Sequence, residues 1–164
     1  MNTKMIGSIL KKHLSKKYIL ENFIPDDSFI NLLGICFVKE NDSYISILPF
    51  KPDLVGNCEI NALHGGVTLS LLEITAFLQV QMEHKKNLEK GREKVSFNRL
   101  NTTALNIVDI QVDYLRPGLA NDSFSMAKVN RLGRRFGSVS VIAWQKDYKK
   151  IFAKATIRFQ ISKK

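Results

Sequence analysis

The sequence predicts an α+β domain: a curved antiparallel sheet wrapped around one long central helix, with an extra amphipathic helix at the N-terminus. Three observations lead there. The segment Val67 to Val80 is apolar on nearly every side, through Leu69, Leu71, Leu72, Ile74, Ala76, Phe77 and Leu78, and a helix apolar all round is a buried one. Two late segments alternate, Val108 to Tyr114 and Ile151 to Ile161, as half-buried strands do. The turns between the last strands are short, which makes those strands antiparallel neighbours. A sheet with one apolar face needs a cover, and the apolar helix is the obvious one.

The elements follow in order. Residues 5–20, MIGSILKKHLSKKYIL, place Met5, Ile6, Ile9, Leu10, Leu14 and Tyr18 near one face and lysines on the other. That is the spacing of an amphipathic helix, which either packs on its own domain or lies on a membrane surface. Pro25-Asp-Asp-Ser reads as a loop. Residues 31–39 and 43–50 are apolar and β-branched, split by Glu40-Asn-Asp, and read as a hairpin. Residues 51–63 hold Pro52, Gly56 and Asn57 and read as a loop. The long helix is expected from near His64 to about residue 86. Residues 87–101 form a polar connection. Strands are then expected at 108–114, 122–132, 138–146 and 151–161. The last of these puts Ile151, Ala153, Ala155, Ile157, Phe159 and Ile161 on one face and Lys154, Thr156, Arg158 and Gln160 on the other.

At 164 residues the chain fits one domain with a sizeable core. We divide it into an N-terminal helix and loop, 1–29, and a single domain, 30–164. Cys36 and Cys58 are the only cysteines. They form neither a metal-ligand spacing nor a disulfide framework, so no metal is expected and a reducing cytoplasm is the default. The longest weakly charged run, Gly65 to Met82, is interrupted by Glu73 and two glutamines, which argues against a membrane span. The net charge of +10 fits a polyanionic partner or simply a lysine-rich surface. Aromatic residues are not interleaved with the basic clusters, as stacking on nucleic acid would require, so no nucleic-acid partner is expected.

The chemistry gathers in ALHGGVTLSLLE, Ala62 to Glu73. A buried helix start leaves backbone N–H groups without partners, at the positive end of the helix dipole. Gly65 and Gly66 remove the side chains that would keep a ligand from those groups. A developing oxyanion would be stabilised there. His64 sits at the cap, where it holds the turn or donates a further hydrogen bond. Glu73 lies about 12 Å further along the helix axis, too far to act on an atom held at its own helix start. It could serve a second helix lying antiparallel beside it. The separation therefore implies a two-fold dimer with composite sites. The structural alternative is a buried Glu73 paired to an Arg or Lys from a strand.

These residues look like the hotdog-fold acyl-CoA thioesterases of the phenylacetate-degradation type. The likeness rests on HGGVTLSLLE, with the acid nine positions after the histidine, and on VDIQVDYLRPG. AKVNRLGRRFGSVSV and the final strand beginning IFAKATIRF also fit. It covers roughly residues 30–161. The resemblance implies a helix wrapped by a sheet, a homodimer often paired into a tetramer, and hydrolysis of an acyl-CoA thioester with no cofactor beyond the coenzyme A of the substrate. By position, Gly65 would polarise the thioester carbonyl through its N–H. Glu73 would be general base or nucleophile, and His64 would orient the helix start. Arg134 or Arg135 would contact coenzyme A phosphates, for which the guanidinium fork is suited; the alternative for both is an exposed hairpin turn.

Two positions depart from the family. It usually has Asn or Gln six residues before the histidine, to help hold the substrate. Here that residue is Cys58, with Asn57 adjacent and Asn61 nearer the histidine. Asn61 stands where glycine is common, and asparagine tolerates a left-handed backbone. The family often has Ser or Thr where this chain has Ile107. These departures keep open a second reading, a non-catalytic acyl-CoA-binding or regulatory hotdog protein.

Overall fold

The computed structural model describes residues 28–40, 43–90 and 103–163. The expected N-terminal helix at 5–20 and most of the polar connection at 87–101 lie outside the described residues. A short helix, α1 (Ser28–Leu33), leads into β1 (Cys36–Glu40) and β2 (Ser43–Leu48). A 3-10 turn at Pro52–Leu54 and a two-stranded ribbon, β3 (Val55–Asn57) and β4 (Ala62–Leu63), precede the long helix α2 (Gly65–Lys90). Four strands finish the chain: β5 (Thr103–Tyr114), β6 (Ser123–Leu132), β7 (Phe136–Trp144) and β8 (Ile151–Lys163). The six long strands form one antiparallel sheet in the order β1-β2-β6-β7-β8-β5.

Helix α2 lies across one face of this sheet, on β2, β6, β7 and β8. Leu71, Leu72, Ala76 and Val80 meet Val139, Val141, Ala155, Ile157 and Phe159 there, and each of the nine is almost wholly buried. Each large apolar side chain so buried contributes about 1.5–3 kcal/mol. The bed beneath the helix is made of small residues. Ser46, Ser125, Ala143 and Ala153 stand opposite one another across β2, β6, β7 and β8, all fully buried.

Three local expectations need correction. Residues 31–33 end α1 instead of opening a strand. Gly34, at φ 74°, stops the helix, and both its N–H and that of Ile35 return to the Ile30 carbonyl. Lys51 Nζ donates to the Leu32 carbonyl at 2.7 Å and closes the same end. Ile151 does not share the face of Ala153. A bulge after Ala143 pairs Trp144 with Ile151 and turns that side chain to the outer surface. Nor is α2 covered all round within one chain. Leu69, Ser70, Glu73 and Phe77 form a half-buried stripe that continues Gly66, which is exposed.

The outer face of the sheet is divided. Over β5 and β8 it is polar, with Lys154 paired to Asp113 at 3.3 Å and Arg158 to Asp109 at 3.5 Å. Over β1, β2, β6 and the end of β7 it is apolar, built around Ile45, Ile47, Phe124 and Trp144. Among the described residues, no helix is long and apolar enough to cross a membrane.

Candidate functional site

The site begins where the β3–β4 ribbon feeds α2. The ribbon turns at Asn61, the one non-glycine with positive φ (49°) among the described residues. This left-handed backbone is the conformation that asparagine tolerates at low cost. The strand that follows is held from both sides. Leu63 N–H donates to the Gly118 carbonyl at 2.7 Å, and His64 N–H donates to the Leu54 carbonyl at 2.9 Å. Gly56 lies directly against His64: a β-carbon there would stand 2.6 Å from His64 Cα. Only a glycine fits so close an approach.

His64 caps the helix in an unusual way. Its carbonyl accepts from Val67 N–H at 3.0 Å and from Thr68 N–H at 3.2 Å. Its side-chain Nδ1 accepts from Gly66 N–H at 3.0 Å, the bond an N-cap Ser or Asp would ordinarily make. With Nδ1 engaged as acceptor, the donor left on the ring is Nε2–H. The consequence for the two glycines is unequal. Gly66 N–H is already used, whereas Gly65 N–H has no acceptor among the described residues. Gly65 is exposed, so that donor faces open space at the positive end of a 26-residue helix.

Tyr114 completes the helix start. Its hydroxyl donates to the Gly65 carbonyl at 3.0 Å, from the last residue of β5. Ser70 Oγ donates to the Gly66 carbonyl at 2.9 Å. The first turn of α2 is therefore anchored by the side chains of His64, Ser70 and Tyr114, with one amide left over.

Glu73 sits two turns on, half-buried on the stripe of α2 that the sheet does not cover. Burial pushes its carboxyl pKa above the ordinary glutamate value. Among the described residues nothing bonds to its carboxylate, neither Arg nor Lys nor a hydroxyl. Among the described residues, no strand brings the Arg or Lys that the structural alternative for Glu73 would need.

The other expected residues are less closely grouped. Asn57, on β3, is exposed and accepts the Glu59 N–H at 3.0 Å, closing the ribbon's own turn. Cys58 is exposed beside it. Ile107 packs against the main core. Arg134 and Arg135 are exposed in the β6–β7 turn. That turn lies at the far end of the sheet: Arg135 accepts from Ile161 N–H, whereas Tyr114 pairs with Ala153. At ~3.3 Å per residue along β8 the two ends are about 25 Å apart, so within one chain these arginines do not join the helix start. No group of three or more His, Cys, Asp or Glu side chains that could hold a metal occurs among the described residues.

Two contributors carried no role in the sequence reading. Gly56 is invisible without knowing that His64 lies on it. Tyr114 closes an alternating strand just before Arg116-Pro-Gly, so its place in the sheet was readable, but its contact with Gly65 was not.

This arrangement has relatives. The thioesterase superfamily model matches residues 60–151. A medium/long-chain acyl-CoA thioesterase, YigI, of Salmonella typhimurium is 24% identical over 160 residues, covering 95% of this chain and 99% of that protein. A Shewanella oneidensis protein related to the thioesterase superfamily superposes with a TM-score of 0.71 at 25% identity, over 96% of this chain and 98% of the other. PaaI of the Escherichia coli phenylacetic acid degradation operon gives 0.61 at 17% identity, over 82% and 84%. The matched residues run from the end of the β3–β4 ribbon through α2 to the start of β8, and so include both the capped helix start and Glu73. On that ground the hotdog architecture expected from the sequence is confirmed, and the chain belongs to the thioesterase superfamily.

Proposed function

We propose that this protein hydrolyses acyl-CoA thioesters to the free acid and coenzyme A, at two equal sites built across a homodimer. Medium and long acyl chains are the first candidates, because the curated relatives are named for them. One observation carries the reading. Among the described residues, the first turn of α2 holds a donor without an acceptor, Gly65 N–H, and the same helix holds an acceptor without a donor, Glu73. About 12 Å of helix separates them, so they complement each other only between two antiparallel copies.

In each site the thioester carbonyl oxygen takes the Gly65 N–H. Glu73 of the partner subunit accepts a proton from water as the water oxygen bonds to the carbonyl carbon. The tetrahedral oxyanion is stabilised by the amide and the helix dipole. It collapses with cleavage of the C–S bond, and the departing thiolate takes the proton back from the carboxyl. A pKa raised by burial suits both steps, because it makes the carboxylate a better base and keeps the proton available for return.

The test is release of free thiol from short, long and aromatic acyl-CoAs, with Glu73→Gln as control. Turnover that survives this substitution, or no turnover on any acyl-CoA, overturns the proposal. The second reading, a non-catalytic acyl-CoA-binding protein, is favoured by Cys58 and Ile107, which carry neither an amide nor a hydroxyl where the resembling family often does. A ligand-dependent rise in Tm without thiol release would select it.

A further inference from the structure

Gln145 follows Trp144, the last residue of β7. Its Oε1 accepts Leu119 N–H at 3.0 Å, and its Nε2 donates to the Leu119 carbonyl at 2.7 Å. The same Nε2 lies 3.1 Å from the Asn121 carbonyl and 3.2 Å from Ser123 Oγ, a buried hydroxyl. A carboxamide offers a donor and an acceptor side by side, as the edge of a peptide does. Gln145 therefore continues the pairing of β7 with its side chain, onto a segment that is not a strand.

That segment, residues 115–122, joins β5 to β6 and bonds the strand that feeds α2. The Gly118 carbonyl takes Leu63 N–H at 2.7 Å, and Leu119 bridges to Ala62. Ala62 and Leu63 make up β4, and the next residue, His64, carries the ring that holds Gly66 N–H. Both ends of the segment have fastenings of their own. Arg116 Nε donates to the Ile151 carbonyl at 2.8 Å, and Asp122 Oδ1 accepts Phe50 N–H at 2.8 Å. The middle, which bonds β4, depends on Gln145. Among the described residues no other side chain bonds Leu119.

We infer that Gln145 is a positioning residue for the oxyanion site. It touches no reacting atom. It holds Leu119, and through Gly118 and Leu119 it holds β4. That strand delivers His64, whose ring engages Gly66 N–H and leaves Gly65 N–H as the unused amide. The catalytic meaning of this chain of contacts rests on the hydrolysis proposed for the site, whereas its mechanical meaning rests on the hydrogen bonds alone. Small displacements matter at such a place, since a misplacement of about 1 Å can cost about 10²-fold in rate. An amide is required for the task. A side chain of equal length without one leaves the Leu119 N–H and carbonyl unheld.

Gln145→Met in the full-length chain keeps the length and removes the amide. Its kcat for acyl-CoA should fall about ten-fold while KM changes by less than about two-fold, because the Gly65 amide acts chiefly in the transition state. Asn130→Ala deletes a side-chain bond to Ser140 at the other end of β6 and β7, and should leave kcat within about two-fold of the parent. Amide hydrogen exchange reads the same contacts without turnover. Leu119, Leu63 and Gly66 N–H should exchange about ten-fold faster in Gln145→Met, with the β5–β8 amides unchanged. If the unaltered protein releases no thiol from any acyl-CoA, the hydrolase reading fails and exchange alone decides the positioning role. Faster exchange confined to Leu119 overturns that role, as does an unchanged kcat in an active enzyme. Faster exchange throughout the sheet also overturns it, because Gln145 would then be a general stabiliser.

Discussion

The first and third turns of α2 are incomplete in opposite ways. At the first turn, His64, Ser70 and Tyr114 bond the backbone so fully that a single amide, Gly65 N–H, is left unused. At the third turn, Glu73 is half-buried and nothing among the described residues holds its carboxylate. Buried polar groups without partners cost stability. A fold that satisfies one turn with three side chains and leaves the neighbouring acid bare is not short of hydrogen-bonding groups. The difference teaches that the first turn is held rigid while the third keeps an acid of raised pKa, and this is the division that the proposed oxyanion site and base would need.

The comparison breaks most completely at the acid. Glu73→Gln should lower kcat for acyl-CoA by about 10²–10⁴-fold, the range expected for a general base. In the parent, activity should rise with pH through the elevated Glu73 pKa and level above it. The stability effect has the opposite sign. A carboxyl whose folded pKa is raised contributes stability below its unfolded pKa and loses it as pH rises through the folded value. Glu73→Gln should therefore leave Tm at pH 7–8 unchanged or slightly higher. A marked fall in Tm would mean that Glu73 has a structural partner.

Removing the amide alone is the next test. Gly65→Pro deletes that N–H at the helix position where proline is best tolerated, and a β-carbon there meets only Tyr114, its hydroxyl at 3.7 Å and its ring at 3.8 Å. The expected loss is about 10²–10³-fold in kcat, with circular dichroism unchanged. Mixing the two inactive variants under exchange sharpens the comparison further. If each site pairs Gly65 of one subunit with Glu73 of the other, mixed dimers hold one intact site and roughly a quarter of the activity returns. No recovery, with exchange shown by mass, would place both groups in one chain.

Smaller effects belong to the anchors. His64→Ala removes the cap, at about 0.5–2 kcal/mol, and frees Gly66 N–H to compete for the oxyanion. kcat should fall more than KM changes. Tyr114→Phe deletes one hydrogen bond, about 0.5–1.5 kcal/mol, and should leave the pH profile in place while lowering kcat a few-fold. A shifted profile would mean that Tyr114 bears on Glu73 instead of on the Gly65 peptide.

The fold was legible because two patterns are strong here: a helix apolar on nearly every side, and strands alternating over long stretches. The misread places are those where a local contact overrides the pattern. Asn31-Leu-Leu has no period of its own, and its helical state is decided by Gly34 and by Lys51 reaching back to Leu32. Ile151 continues an alternation that the bulge beside Trp144 interrupts. The site was legible in part: Gly65, His64 and Glu73 stand in one short segment. What distinguishes Gly65 from Gly66 is the orientation of the His64 ring, which rests on Gly56. What pins Gly65 is Tyr114, from a distant strand. Neither contact leaves a mark in local sequence.

Beneath the helix, Ser46, Ser125, Ala143 and Ala153 form a thin mattress running across four strands. Its thickness sets how deep α2 sinks, and hence how far Gly66 and Glu73 project toward whatever lies opposite. One added methylene at Ala143 would lift the rod bodily, since overfilled interiors move their backbones. On the proposed reading, the gap that takes the acyl chain would then widen or narrow with every reacting group left as it was. A lineage in search of bulkier substrates could begin its adjustments on the far side of the helix.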